Sequence, residues 1–111
     1  MTVEELGIAL GCQTTVGGEA LKKEVKGGYC GDLLSWVMGR AAGGSAWVTV
    51  MGNTNAIAVA VLADTACIIL AQGAALDADA CQKAVQNNVA VLRSEKSAFE
   101  IACGIYETLR K

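Results

Sequence analysis

A three-part unit recurs three times in the second half of this 111-residue chain: a short apolar run, a hinge of Gly, Asn or Ser, and then a helix-like segment. Ser45 to Met51 passes through Gly52, Asn53, Thr54 and Asn55 into Ala56 to Ala63. Ala66 to Ala71 passes through Gln72 and Gly73 into Asp77 to Gln86, and Val89 to Leu92 passes through Ser94 into Glu95 to Leu109. Parallel strands need helical crossovers, so the pattern predicts an α/β fold: one compact domain with a mainly parallel central sheet flanked by helices. The turns that follow parallel strands collect on one edge of the sheet, which makes that edge the place to look for a ligand.

The first half is read from its punctuation. Thr2 and Glu5 form a capping box for a helix from Val3 to Leu10, which Gly11 ends in a left-handed cap. Cys12 to Val16 reads as a short strand, and Glu19 to Lys26 as a polar stretch with a second short strand around Val25. The glycine pair at Gly27 and Gly28 reads as a turn, after which Asp32 is placed to cap a helix from Leu33 to Arg40. Within Ala56 to Ala63, the alternation of Ile57, Val59 and Val61 leaves a strand reading open beside the helical one.

Composition narrows the function classes. Hydrophobic residues make up 53% and charged residues 18% of the chain, too few charges to cover a lone domain, so a homodimer is expected. The segment Leu33, Leu34, Trp36, Val37 and Met38 is apolar on every side, and its helix must be covered all round. Leu33, Leu34, Trp36, Val37 and Trp47 are therefore the expected interface residues. Nine basic against eleven acidic residues, with no large basic cluster, argue against nucleic acid as partner. The acidic start, Met1 to Glu5, lacks the pattern of a secretion signal, and Asp64 and Thr65 interrupt the apolar stretch Asn55 to Gly73. The expectation is a cytoplasmic protein with no membrane partner.

Histidine is absent, and the five cysteines are widely spaced with no Cys-x-x-Cys pair, which disfavours a metal site or bound cofactor. Cys30, between glycines, is the one thiol whose reactivity is worth asking about. Without a histidine, acid–base work would fall to Asp32, Glu100 or Lys96, each with an ordinary structural explanation, so no catalytic residue is expected. The candidate anion-binding residues are the turn residues: Gly28, Gly31 and Asp32; Gly52, Asn53, Thr54 and Asn55; Gln72 and Gly73; and Ser94, Lys96 and Ser97.

The string Gly27-Gly28-Tyr29-Cys30-Gly31-Asp32-Leu33-Leu34-Ser35-Trp36-Val37-Met38 resembles the DRTGG domain family, which is related to the amino-terminal domain of HPr kinase/phosphorylase. The likeness continues through Trp47 to Val50 with Asn55, Ile68 to Leu70 with Gly73, Val89 to Leu92, and Ser97 to Glu100. It implies a compact, mainly parallel α/β domain in an accessory role, assembling with or modulating a protein partner, or sensing a small anionic ligand such as a nucleotide. The eponymous Asp-Arg-Thr-Gly-Gly string is absent, and so is a G-x-x-x-x-G-K-[ST] phosphate loop, so kinase activity is not implied.

Overall fold

The structure, a computed structural model, describes residues 1–111. Eight residues, Val3–Leu10, form helix α1, closed at both ends as expected: Thr2 Oγ1 accepts from the Glu5 amide at 3.2 Å, and Gly11 takes φ +70°. Strand β1 (Gln13–Val16) follows, then a 3-10 helix (Gly18–Lys22), then β2 (Gly27–Cys30). The rest alternates strictly: α2 (Leu34–Arg40), β3 (Ser45–Thr49), α3 (Thr54–Leu62), β4 (Cys67–Leu70), α4 (Ala78–Gln86), β5 (Val91–Arg93) and α5 (Ala98–Arg110).

The five strands form one sheet in the order β1-β5-β4-β3-β2, with β2, β3, β4 and β5 parallel and β1 antiparallel to β5. β3 and β4 are buried at every position, which is why Ser45 to Met51 and Ala66 to Ala71 read as near-continuous apolar runs. Alternate residues serve opposite faces. Trp47, Ile68, Leu70 and Val91 meet Val37, Ile57, Ala60, Ala80 and Ala84 of α2, α3 and α4. Ala46, Val48, Ile69 and Leu92 meet Val3, Leu6, Ile101 and Ile105 of α1 and α5. The result is a three-layer sandwich, and the segment Ala56 to Ala63 belongs to a helix, not a strand.

Three expectations fail locally. Residues 27–30 are an edge strand, not a turn: Gly27 to Cys30 run parallel to Ser45 to Val48 in register. Val25 lies outside any strand and is buried among α1 and α5 residues. Helix α2 starts one residue later than expected with Leu33 at its N-cap, so Asp32 does not cap it. Nor is α2 enclosed. Val37 is fully buried and Leu34 half-buried, but Leu33, Trp36 and Met38 are 59%, 52% and 44% exposed. A two-turn helix at the end of its layer has one neighbouring helix, α3, so only one stripe of it can be covered.

Candidate functional site

Because β2 to β5 run parallel, their carboxyl ends share one rim of the sheet. The connections leaving β2, β3 and β4 go to the layer of α2, α3 and α4, whereas the one leaving β5 enters α5 on the opposite face. The point where connections diverge, between β4 and β5, is where open α/β sheets usually form their ligand crevice.

That point is closed by the chain itself. Gln72 and Gly73 both sit at positive φ (56° and 67°), which turns their amides toward the next strand's exit. The Gln72 amide donates to the Lys96 carbonyl and the Gly73 amide to the Ser94 carbonyl, each at 2.9 Å. Arg93 Nε donates to the Gly73 carbonyl at 3.1 Å, and the Lys96 amide donates to Ser94 Oγ at 3.1 Å. Gly73's positive φ favours glycine, while the atom nearest a Cβ there is the mobile Glu95 carboxylate, which can swing aside. Ser97 completes a reciprocal capping box with Glu100 at the start of α5, which places a carboxylate over the amides that would otherwise attract an anion.

The other half of the rim is organised around Asp32. Its Oδ1 accepts from Thr49 Oγ1 at 2.6 Å and from the Val50 amide at 3.0 Å, while Thr49 Oγ1 accepts from the Met51 amide at 3.2 Å. Trp47 Nε1 donates to the Gly31 carbonyl at 2.8 Å and fixes the same loop from below. Asp32 thus ties the exit of β2 to the exit of β3. A buried hydroxyl must find a partner, and Thr49, the lone hydroxyl within the apolar run Trp47 to Val50, was the available signal for this tie. Beyond it, Asn53 Oδ1 caps α3 by accepting from the Ala56 amide at 2.9 Å. Gly52 packs so tightly beneath the Ala75 carbonyl that a Cβ would overlap it, and the Asp77 amide donates to the Gly52 carbonyl at 2.8 Å.

The candidate turn residues therefore share an edge without lining one cavity. Gly31, Asp32, Gly52 and Asn53 belong to the β2–β3 side, and Gln72, Gly73, Ser94 and Ser97 to the β4–β5 side. Thr54 and Asn55 line a 450 Å³ groove between α3 and α4, and Lys96 borders a 270 Å³ groove between α1 and α5. Gly28 lies off the rim, in a 370 Å³ groove between β2 and α5 walled by Cys30, Ala102, Ile105, Tyr106 and Leu109. Two cations stand at that groove, Lys26 and Arg110, and no spacing or motif along the chain groups them with β2.

Of the expected interface residues, Leu33 and Trp36 are exposed, with the Arg40 guanidinium 4.0 Å over the Trp36 ring, while Val37 and Trp47 are fully buried in the core. Trp47 cannot anchor a partner, because its indole fills the interior and its N–H is taken. Cys30 sits on a strand and not at a helix start; partial burial, and then the Asp32 charge, push its thiol up from the ordinary value of 9.0. A raised pKa removes the case for a nucleophile. No group of three or more His, Cys, Asp or Glu side chains is placed to hold a metal ion, and no helix is long and apolar enough to cross a membrane.

No protein-family model matches the chain, and no curated protein matches its sequence. The fold does have a solved counterpart: the crystal structure of the CBS and DRTGG domains of the regulatory region of Clostridium perfringens pyrophosphatase, complexed with the activator diadenosine tetraphosphate. The superposition has a TM-score of 0.75 at 13% identity and covers 94% of this chain, which spans 45% of the length of that one. At that identity the likeness is one of architecture, and the chain has a compact α/β fold of the DRTGG-like kind, as the Gly27 to Met38 string led us to expect.

Proposed function

We propose that this domain is a non-catalytic regulatory module that acts as a homodimer in the cytoplasm, assembling with or modulating a partner enzyme or regulator. The observation that carries the reading is the surface of α2, where Leu33 and Trp36 are more than half exposed and Met38 nearly so, on a chain with few charges to spare. Leu33 and Trp36, three positions apart, share one side of the helix while Met38 lies across the buried Val37, and neighbouring exposed apolar side chains such as that pair mark interaction sites in soluble proteins. The regulatory origin of the structural neighbour supports the same reading, as does the absence of histidine. Size-exclusion chromatography with light scattering at tens of micromolar should give close to twice the 11.4 kDa chain mass. Replacing Trp36 by Glu should return the mass to that of one chain, with a melting temperature that matches the unmodified chain only at dilutions where that chain is itself monomeric. A monomeric unmodified chain would overturn the proposal.

A second reading has one specific support: the neighbour was crystallised with a nucleotide activator. On this reading the rim binds an anionic or nucleotide ligand, with Thr54 and Asn55 at the start of α3 as its first contacts on one side or Lys96 at the β5 exit on the other, and Gly31, Asp32, Gly52, Asn53, Gln72, Gly73, Ser94 and Ser97 shaping the turns. A ligand at a hundred times its Kd stabilises the folded state by about 2.7 kcal/mol. Melting curves with diadenosine tetraphosphate, ATP and inorganic phosphate test it, and three unshifted curves at millimolar ligand would dismiss it.

A further inference from the structure

The free edge of the sheet also says how two copies would join. β2 pairs with β3 alone, and along its other side alternate N–H and C=O groups have no partner in the chain. Two of the features that blunt such an edge, a proline and a bulge, are missing from β2, which carries two glycines; its four-residue length and the flanking Lys26 are the guards it has. We propose that a second copy of this chain adds its own β2 antiparallel to this one about a two-fold axis at Tyr29, so that the two sheets continue into each other. This deepens the homodimer reading and rests on it.

Charge selects the register. In an antiparallel pair, outward-facing groups must meet outward-facing groups, so two-fold registers can be centred on Gly28, Tyr29 or Cys30. Centring on Gly28 sets Glu24 level with Asp32 of the second copy, two like charges. Centring on Cys30 carries most of each strand past the other's end. Centring on Tyr29 pairs three of the four strand residues, Gly28 to Cys30, with those of the second copy and brings Lys26 level with Asp32 of the second copy at both ends. Neither Lys26 nor Asp32 has an ion-pair partner within the chain, and Asp32 uses only one of its carboxylate oxygens.

Side-chain volumes agree with this register. It sets Cys30 of each copy opposite Gly28 of the other. Both positions face α5: a Cβ on Gly28 would lie 3.3 Å from Ile105 Cγ2, and Cys30 lines the same groove. The glycine leaves the space that the thiol of the second copy occupies, beneath Tyr106 and Leu109. Tyr29 points to the opposite face, against the core beside Trp47.

Residues opposite each other in an antiparallel pair have Cα atoms roughly 4.5–5.5 Å apart, within disulfide reach. In a Cys103→Ser background, which removes the other exposed thiol, Gly28→Cys should give a covalent dimer on a non-reducing gel after mild oxidation, while the background chain stays uncross-linked. Because a Cβ at Gly28 presses on Ile105, Lys26→Glu is the second test. Its side chain is exposed, the fold should be unaffected, and the dimer Kd should rise several-fold at low salt and much less at high salt. An unmodified chain that is monomeric overturns the dimer itself. A dimer that is indifferent to Lys26→Glu, that fails to cross-link through a folded Gly28→Cys chain, or that cross-links through Cys30 alone overturns the strand pairing and leaves the dimer standing.

Discussion

The two edges of the sheet are built on opposite terms. β1 pairs antiparallel with β5, is interrupted by a register shift between Thr14 and Val16, and shows solvent the polar side chains of Gln13, Thr14 and Thr15. A bulge twists a strand away from any would-be partner, and polar side chains along an edge give that partner little to bury. β2 is parallel, unbulged and glycine-rich, and it leads directly into the helix that exposes Leu33 and Trp36. The division extends to the rim. On the β4–β5 side, main-chain groups of Gln72, Gly73, Ser94 and Lys96 bond one another, whereas on the β2–β3 side a main-chain bond from Gly31 to Val48 is joined by two side chains, Trp47 and Asp32, the latter through a single oxygen. The difference between the two sides lies in the strand edge and the spare carboxylate oxygen of Asp32, not in apolar exposure, since Ile8, Leu62, Val85 and Phe99 stand exposed on the other helices.

The two tryptophans give the sharpest way to break this comparison. Trp47 is fully buried and hydrogen-bonded, so Trp47→Ala should lower stability by about 3–5 kcal/mol, a large part of what a domain of ordinary stability has. Trp36→Ala removes a half-exposed ring whose partner is Arg40, and should change monomer stability by less than about 0.5 kcal/mol while weakening the dimer. Urea unfolding of both variants decides it. Equal losses would mean that α2 is part of the folding core and that its exposed face is not free to associate.

How much of this was legible in the sequence follows the same division. The strand–hinge–helix units from Ser45 onward were legible because their strands are apolar runs and two of the three hinges carry a side-chain cap, Asn53 and Ser97, whereas Asp77 makes no capping bond at the start of α4. The α1 capping box is local chemistry between Thr2 and Glu5 and was equally plain. β2 was not, because Gly27-Gly28 carries a turn's local signal, and only pairing with Ser45 to Val48, on the far side of α2, makes it a strand. The all-round apolar α2 was read as enclosed, since sequence shows what a helix would prefer to bury but not how many neighbours it has. At the rim, the location was legible from the strand-helix order, but the bonds that close it join residues such as Gln72 and Lys96 through backbone groups, and these leave no mark on residue identity.

A pair of glycines supplies a contrast of intermediate size. Gly52 lies under the Ala75 carbonyl, and the obstruction is backbone, so Gly52→Ala must displace the loop that leads into α4 and should cost about 1–3 kcal/mol. Gly27, on the open strand, has no atom within 4 Å of where an alanine methyl would sit, and Gly27→Ala should be neutral or slightly stabilising through the unfolded chain. Thermal melts at low protein concentration, where association does not contribute, separate the two. A Gly27→Ala variant as damaged as Gly52→Ala would mean that the β2 edge is covered within the single chain.

The smallest effect belongs to Cys30. Deprotonation would place a thiolate beside the Asp32 carboxylate on an exposed residue whose sulfur is partly desolvated by the groove, and both desolvation and that charge hold the proton on, in that order. The sign follows directly: the folded state favours the thiol, so the rate of reaction with iodoacetamide at Cys30 should still be rising as the pH passes 9.0, the ordinary value for a thiol. Cys67, fully buried in β4 with its pKa pushed up to about 12, should stay unmodified at any pH at which the domain is folded. Mass spectrometry of the labelled peptides reads both thiols in one experiment, and repeating it across protein concentrations adds the edge to the measurement. If the β2 edge is the side that associates, Cys30 labelling should slow as the chain dimerises while an exposed thiol on the far surface of α5, Cys103, keeps its rate. A Cys30 rate that levels off below pH 9 would show a thiol with a stabilised anion, and the groove beside β2 would then be an electropositive pocket and not an unfinished strand edge.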